Sequence, residues 1–232
     1  GSLRRARAPA LSEAPGFAEG AWWPQDAAAA MPARLLGDVR GRRVIDLCAA
    51  PGGKTLQIAA AGARTTAVDT SEARLARLRE NLARTGLEAE IVAADALDWR
   101  PPEPAEAVLL DAPCTATGTI RRHPDLPHLR RERDVAELTA LQDRLLDAAW
   151  EMVATGGVLV FATCSLLPEE GERRAAAFLA RAAGARRRPV TVAEASEPDL
   201  ITPDGDLRTR PDHWPALGGL DGFFAARFEK AG

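Results

Sequence analysis

Strands and helices that alternate along the chain, a glycine turn directly behind the first strand, and a polar residue at the end of strand after strand predict an α/β fold. The sheet is expected to be mostly parallel, with helices on both faces and ligands at its carboxyl edge. The 232 residues form one large domain or two small ones, long enough for a sizeable core.

The elements follow in order. Residues 1–20, rich in Ala, Pro, Arg and Glu, read as a flexible lead-in, with Gly1-Ser2 as a tag scar outside the fold; one catalytic domain is expected over 21–232. A helix is expected from Gln25 to about Leu36. Arg43–Cys48 is a short apolar run that suits a buried strand, broken by Gly52-Gly53 before a helix over Lys54–Ala61. Thr65–Val68 is a second strand ending at Asp69. Ser71–Arg84 is helical, with Leu75, Leu78 and Leu82 on one face and Ser71 as N-cap. Glu90–Ala94 is a third strand ending at Asp95, and Ala107–Leu110 a fourth ending at Asp111. Asp134–Val153 carries Leu138, Leu141, Leu145 and Leu146 along one side of a long helix. Val158–Ala162 is a fifth strand running into Thr163-Cys164. Pro168–Arg181 is a helix, and the remainder holds one or two strands, the last near Phe223–Phe228.

Composition narrows the function classes. A hydrophobic fraction of 46% and a charged fraction of 27% are those of a soluble globular protein. No apolar run reaches the ~18–20 residues of a membrane span, and no signal peptide is visible, so no membrane association is expected. Cys48, Cys114 and Cys164 are few and far apart, which argues against a disulfide framework and for a reducing cytoplasm. No CxxC or HxxxH spacing occurs, so no metal site is expected. A net charge of −3 counts against holding nucleic acid by bulk charge alone. Two runs are nevertheless basic. Arg121, Arg122, Arg130, Arg131 and Arg133 cluster in one segment, and Arg186–Arg188 form another, for which a solvated surface is the plainer reading.

Four segments carry chemistry. In Asp46-Leu-Cys-Ala-Ala-Pro-Gly-Gly-Lys-Thr55, the glycines let a ligand approach the backbone and open a helix N-terminus. A P-loop would need glycine at position 48, which is Cys, and the GxGxxG spacing of a nicotinamide site is absent. Asp69, 23 positions after Asp46, sits where a carboxylate accepts hydrogen bonds from ribose hydroxyls. Asp95 after the third strand can meet the exocyclic amine of adenine, although an Asp there often only caps a turn. The third and fourth segments, Asp111-Ala-Pro-Cys-Thr-Ala-Thr-Gly-Thr119 and Ala162-Thr-Cys-Ser-Leu-Leu-Pro-Glu-Glu170, each place a cysteine just past an apolar strand and facing one crevice.

These segments, together with Glu19-Gly-Ala-Trp-Trp-Pro-Gln-Asp26 and Gly222-Phe-Phe224, resemble the Nol/Nop/Sun family of S-adenosylmethionine-dependent RNA cytosine-5 methyltransferases, most of all its bacterial Sun (Fmu) type acting on 16S ribosomal RNA. The likeness spans nearly the whole chain. It implies a Rossmann-like class I methyltransferase fold with a seven-stranded sheet and helices on both faces. It also implies S-adenosyl-L-methionine as cofactor, held by the turn of Cys48, Ala49, Ala50, Pro51, Gly52, Gly53 and Lys54 with Asp69, Asp95 and Asp111. Members of this type usually carry an N-terminal RNA-binding region.

Methylating carbon 5 of cytosine requires a thiolate to add at carbon 6, an acid near N3 and a group for release. The residues alone do not choose between Cys114 and Cys164 as nucleophile. The resemblance assigns that role to Cys164, resolution of the adduct to Cys114 and contact with cytosine N3 to Asp111. Lys54, which would orient or neutralise Asp111 and favour a thiolate, is a further candidate. The target base must be unpaired or flipped out. Arg121–Arg133 is placed to grip phosphates beside it, and Trp22 and Trp23 either stack on a base or pack internally. The protein is expected to be a cytoplasmic monomer with RNA as partner. Other readings are a transfer-RNA or DNA cytosine methyltransferase, a small-molecule methyltransferase, and a catalytically silent RNA-binding or ribosome-assembly protein.

Overall fold

The computed structural model of the protein describes residues 10–232. Eight strands form one sheet: β1 (Arg43–Leu47), β2 (Arg64–Asp69), β3 (Glu90–Ala93), β4 (Ala105–Asp111), β5 (Val153–Thr163), β6 (Ala185–Arg187), β7 (Leu207–Thr209) and β8 (Phe223–Lys230). The helices are α1 (Ala27–Arg34), α2 (Gly53–Ala60), α3 (Glu72–Thr85), α4 (Leu126–Leu129), α5 (Glu132–Met152), α6 (Glu172–Arg181) and α7 (Val192–Ala195). The strand order is β3-β2-β1-β4-β5-β8-β6, and the first five are parallel. β8 runs antiparallel to β5. Its outer edge is shared, since β6 pairs with Phe228–Lys230 and β7 with Phe223–Ala225. The seventh position across the sheet is therefore filled by two three-residue strands, which is why eight strands stand where seven are expected.

The period-two alternation of the central strands sends side chains into separate cores. Val108, Leu110, Leu159 and Phe161 pack against Leu145, Leu146, Ala149 and Trp150 of α5 and Phe178 of α6. Leu109, Val158, Val160 and Ala162 face Met31 of α1 and Ile58 of α2. Phe178 is fully buried between Trp150 and Phe228, with ring centroids 5.4 and 4.9 Å away, a burial worth about 2–3 kcal/mol. The helix α3 starts where Ser71 Oγ accepts from Arg74 N, and it stops at Gly86 in the left-handed conformation.

Three expectations change. Residues 1–9 of the predicted lead-in lie outside the described residues. The following part is not free chain: Phe17 and Trp22 pair at 5.2 Å, and Arg84 at the end of α3 stacks on Phe17 and donates to the carbonyls of Phe17 and Trp22. The helix expected over Pro168–Arg181 is divided at Gly171 into a 3-10 turn, Pro168–Glu170, and α6. Finally, β5 extends back to Val153, through Gly156-Gly157 and opposite a register shift between Ala105 and Ala107. Among the described residues no helix is long and apolar enough to cross a membrane.

Candidate active site

The sheet register brings the scattered polar residues to one edge. Asp46 lies level with Ala67 of β2 and Leu109 of β4, Asp69 level with Ala93, and Asp111 level with Ala162, so Asp95 and Cys164 each follow two residues beyond a paired position. Parallel strands end together, and the loops after them share one crevice.

The turn from β1 to α2 is shaped by its backbone. Cys48 has φ 59° and Gly52 φ 105°. A Cβ on Gly52 would stand 2.3 Å from Leu78 Cδ1, so only glycine lets the turn settle on α3. Asp69 fastens the turn to β2, accepting from Ala50 N at 3.0 Å and from Ser71 N at 2.9 Å, while Arg74 donates to the Ala50 carbonyl. Asp95 is exposed, and one of its oxygens accepts from Leu97 N at 2.9 Å, the turn-capping bond anticipated as its plainer role. Burial pushes the Cys48 thiol up to about 12, which disfavours its thiolate. Trp23 is turned inward against the cluster of Ala49, Ala50, Leu56, Leu75 and Leu78, and Trp22 against Phe17.

A second group of polar side chains gathers at the ends of β1, β4 and β5. Lys54 Nζ donates to Asp111 Oδ2 at 2.7 Å and stands 5.0 Å above the ring of Phe223. Beneath it Asp46 is fully buried. Thr55 Oγ1 donates to Oδ2 at 2.6 Å, while Oδ1 is buried without a hydrogen-bond partner. Burial raises this carboxyl to about 7, against the opposing effect of the Thr55 hydrogen bond.

The two cysteines meet. Cys114 Sγ and Cys164 Sγ are 3.4 Å apart. Hydrogen bonding between them, then burial, holds the Cys114 thiol well above its ordinary value, and Glu170 adds to the rise. The same bond lowers Cys164, helped by the Lys54 ammonium and opposed by burial and Asp111. Lys54 lowers Cys164 against the opposing Asp111, and Glu170 raises Cys114, so the bond between the sulfurs leaves Cys164 the lower of the two thiols.

Both loops are braced by residues that the sequence does not single out. Glu170 is fully buried and accepts from Thr115 N at 2.9 Å, from Thr115 Oγ1 and from Gln142 Nε2 at 3.2 Å. Gln142 Nε2 also reaches the Pro113 carbonyl at 2.9 Å. Gly118 N donates to the Cys164 carbonyl at 2.9 Å, and Gly222 N to the Gly118 carbonyl at 2.8 Å; a Cβ on Gly118 would fall 1.9 Å from Gly222 O.

The basic segment divides. Arg121 and Arg122 are turned back onto the buried Asp221, with Arg121 Nη1 at 3.2 Å and Arg122 Nη2 at 2.6 Å, because an unpaired carboxylate there would be costly. Arg130 donates to the Thr115 carbonyl at 2.9 Å. Arg131 and Arg133 remain on the exposed surface at the start of α5. Arg187 of the second run is also engaged internally, 2.8 Å from Asp206. Asp221 lies immediately before the quoted Gly222-Phe-Phe224, and nothing in its sequence context marks it as buried.

A model of the family described as 16S rRNA methyltransferase RsmB/F matches residues 33–229. The chain is 46% identical over 224 residues to Ribosomal RNA small subunit methyltransferase B of Pseudomonas syringae pv. tomato, covering 93% of this chain and 49% of that protein. It is 44% identical over 228 residues to the protein of the same name from Klebsiella pneumoniae, covering 93% and 48%. It thus spans about half the length of these curated relatives. Among solved structures it resembles NSun6 from Pyrococcus horikoshii with SFG, at 30% identity and TM-score 0.82, over 97% of this chain and 57% of that one.

Proposed function

This chain belongs to the 16S rRNA methyltransferase RsmB/F family, and from that premise we propose that it transfers a methyl group from S-adenosylmethionine to carbon 5 of a cytosine in RNA, with 16S rRNA as the substrate, by way of a covalent Cys164–C6 adduct. The observation that carries the mechanism is the 3.4 Å contact between the two thiols with the lowered one at Cys164.

The donor set fits the cofactor. Asp69 at the end of β2 and Asp95 two residues past β3 suit ribose hydroxyls and an adenine amine, and the turn of Cys48, Ala49, Ala50, Pro51, Gly52, Gly53 and Lys54 opens α2 beside them. Bound there, S-adenosylmethionine supplies an electrophilic methyl on a sulfonium.

The chain's own residues prepare the base. Cys164 Sγ, as thiolate, adds to C6 of cytosine and pushes electron density to C5. As Cys164 adds, N3 takes up a proton from solvent; Asp111 accepts from the N3–H so formed and stabilises charge developing on the ring, and Lys54 holds that carboxyl in place. After methylation the C5 proton passes to solvent, the C6–Sγ bond breaks with its electron pair leaving on Cys164 as thiolate, and N3 gives back its proton. The Cys114 S–H, 3.4 Å from Cys164 Sγ, then donates to the departing sulfur and stabilises it as a leaving group. Arg131 and Arg133 contact phosphates beside a flipped cytosine. We place the protein in the cytoplasm as a monomer, which sedimentation of the purified chain checks.

The test is methyl transfer from tritiated S-adenosylmethionine to 16S rRNA, with transfer RNA in parallel. Cys164→Ala is expected to abolish transfer, and Cys114→Ala to accumulate a denaturation-resistant protein–RNA adduct. Full transfer by Cys164→Ala overturns the nucleophile assignment, and labelling of transfer RNA alone overturns the substrate.

A further inference from the structure

Glu170 is used by no step above, yet it touches the neighbours of both sulfurs. Its carboxylate accepts from the backbone and hydroxyl of Thr115, the residue after Cys114. Its backbone carbonyl accepts from Thr163 Oγ1 at 3.1 Å, the residue before Cys164. It is fully buried, and Gln142 supplies the remaining donor from α5. Ser165 extends the brace, its Oγ standing 3.1 Å from Thr117 Oγ1 and 3.4 Å from Thr115 Oγ1.

We infer that Glu170 is a positioning residue that sets the contact between the two active-site sulfurs and, as a buried anion on the Cys114 side, keeps the shared proton on Cys114. A buried carboxylate costs several kcal/mol in desolvation unless its hydrogen bonds are complete. A neutral glutamine could make much the same bonds, so bracing alone does not call for a charge. The asymmetry of the surroundings gives the charge a purpose. Facing Cys164 are the cation Lys54, the carboxylate Asp111 and the more distant Arg122; facing Cys114 are Cys164 and Glu170. Arg130 reaches the same loop through the Thr115 carbonyl. Asp111 raises Cys164 as Glu170 raises Cys114, but Asp111 is paired with Lys54 at 2.7 Å and that ammonium lowers Cys164, so the charge on Glu170 adds to the preference for the proton on Cys114. The inference rests on the methyl-transfer reading only for the meaning of the two thiols.

In Glu170→Gln the amide oxygen can keep the Thr115 N bond while its NH2 turns to Thr115 Oγ1, so the geometry is retained and the charge is lost. The experiment is the pH dependence of Cys114 alkylation by iodoacetamide, read by peptide mass spectrometry. It is done in a Cys164→Ala background so that Cys114 titrates alone. Adding Glu170→Gln is expected to shift the profile to lower pH and to raise the rate at pH 8 by roughly three- to tenfold, tenfold being one unit of pKa. Thr115→Val strips the hydroxyl that donates to Glu170, keeps the backbone donor and leaves the carboxylate less screened; it is expected to shift the profile to higher pH and stands in should Glu170→Gln not fold. Profiles unmoved by either substitution overturn the proposal and leave Glu170 a structural brace. No RNA or cofactor enters the measurement, so failure of the methyl-transfer reading would show separately.

Discussion

Lys54 lies at the junction of three groups: 2.7 Å from Asp111, over the ring of Phe223, and close enough to Cys164 to favour its thiolate. Lys54→Met should therefore move the pH–rate profile of methyl transfer upward, because the thiolate fraction of Cys164 grows as pH rises through its pKa and that pKa would climb. Transfer at pH 7 should fall on the order of 10²-fold; an unshifted profile would leave Lys54 with a packing role alone. At this scale the motif residues were legible because their chemistry is rare: two cysteines past strand ends, and a Gly-Gly-Lys turn. What was not legible was burial. Glu170 reads as one of two surface glutamates in Pro-Glu-Glu, and only the fold shows it fully enclosed. Arg121 and Arg122 read as free to hold phosphate because their partner, Asp221, is about 100 positions away.

The elements that the sequence made plain were those with long apolar periods, α3 and α5, and the buried strands β1, β2 and β4. The short ones escaped. The Ala185–Arg187 strand is two-thirds arginine and reads as a solvated run; it is a strand because β8 offers it an edge. The start of β5 was hidden by Gly156-Gly157, whose composition signals a turn. Glycine also decides how elements meet. Gly52→Ala is strained by φ 105° and by the 2.3 Å approach to Leu78 Cδ1, and it should cost about 1–3 kcal/mol. Thermal denaturation should show the loss, and calorimetry with S-adenosylhomocysteine should show weakened binding. Gly118→Ala meets the Gly222 backbone and should separate the two cysteine loops, seen as loss of the Cys164 thiolate in alkylation at pH 7.

For the molecule as a whole, carboxyls with shifted titration pull stability in opposite directions with pH. Asp46 and Asp206 are raised by burial from 3.8 to about 7, so the folded state holds protons that the unfolded state has released, and stability falls as pH rises across that window. Glu194 is lowered from 4.5 to about 2 by its hydrogen bonds from Arg227 and Thr191, in spite of burial, so its contribution is present above 4.5 and is lost as pH falls toward 2. Asp46→Asn should raise the melting temperature at pH 8 and leave it nearly unchanged at pH 4, whereas Glu194→Gln should lower it at pH 6 and matter little at pH 2. Equal shifts at both pH values in either variant would contradict these linkages. The sheet order has a different consequence, in time. A ribosome releases β1 to β5 well before β8, which must slot between β5 and the short strands β6 and β7. Until residues 222–230 emerge, the long strand β5 shows a bare edge, Gly118 lacks its Gly222 donor and Lys54 lacks the ring of Phe223. A nascent chain at that stage already contains both thiols, Asp111 and Lys54, but it has no finished pocket and has an open edge prone to mispairing, so assembly is most exposed to aggregation just before the two cysteine loops are closed.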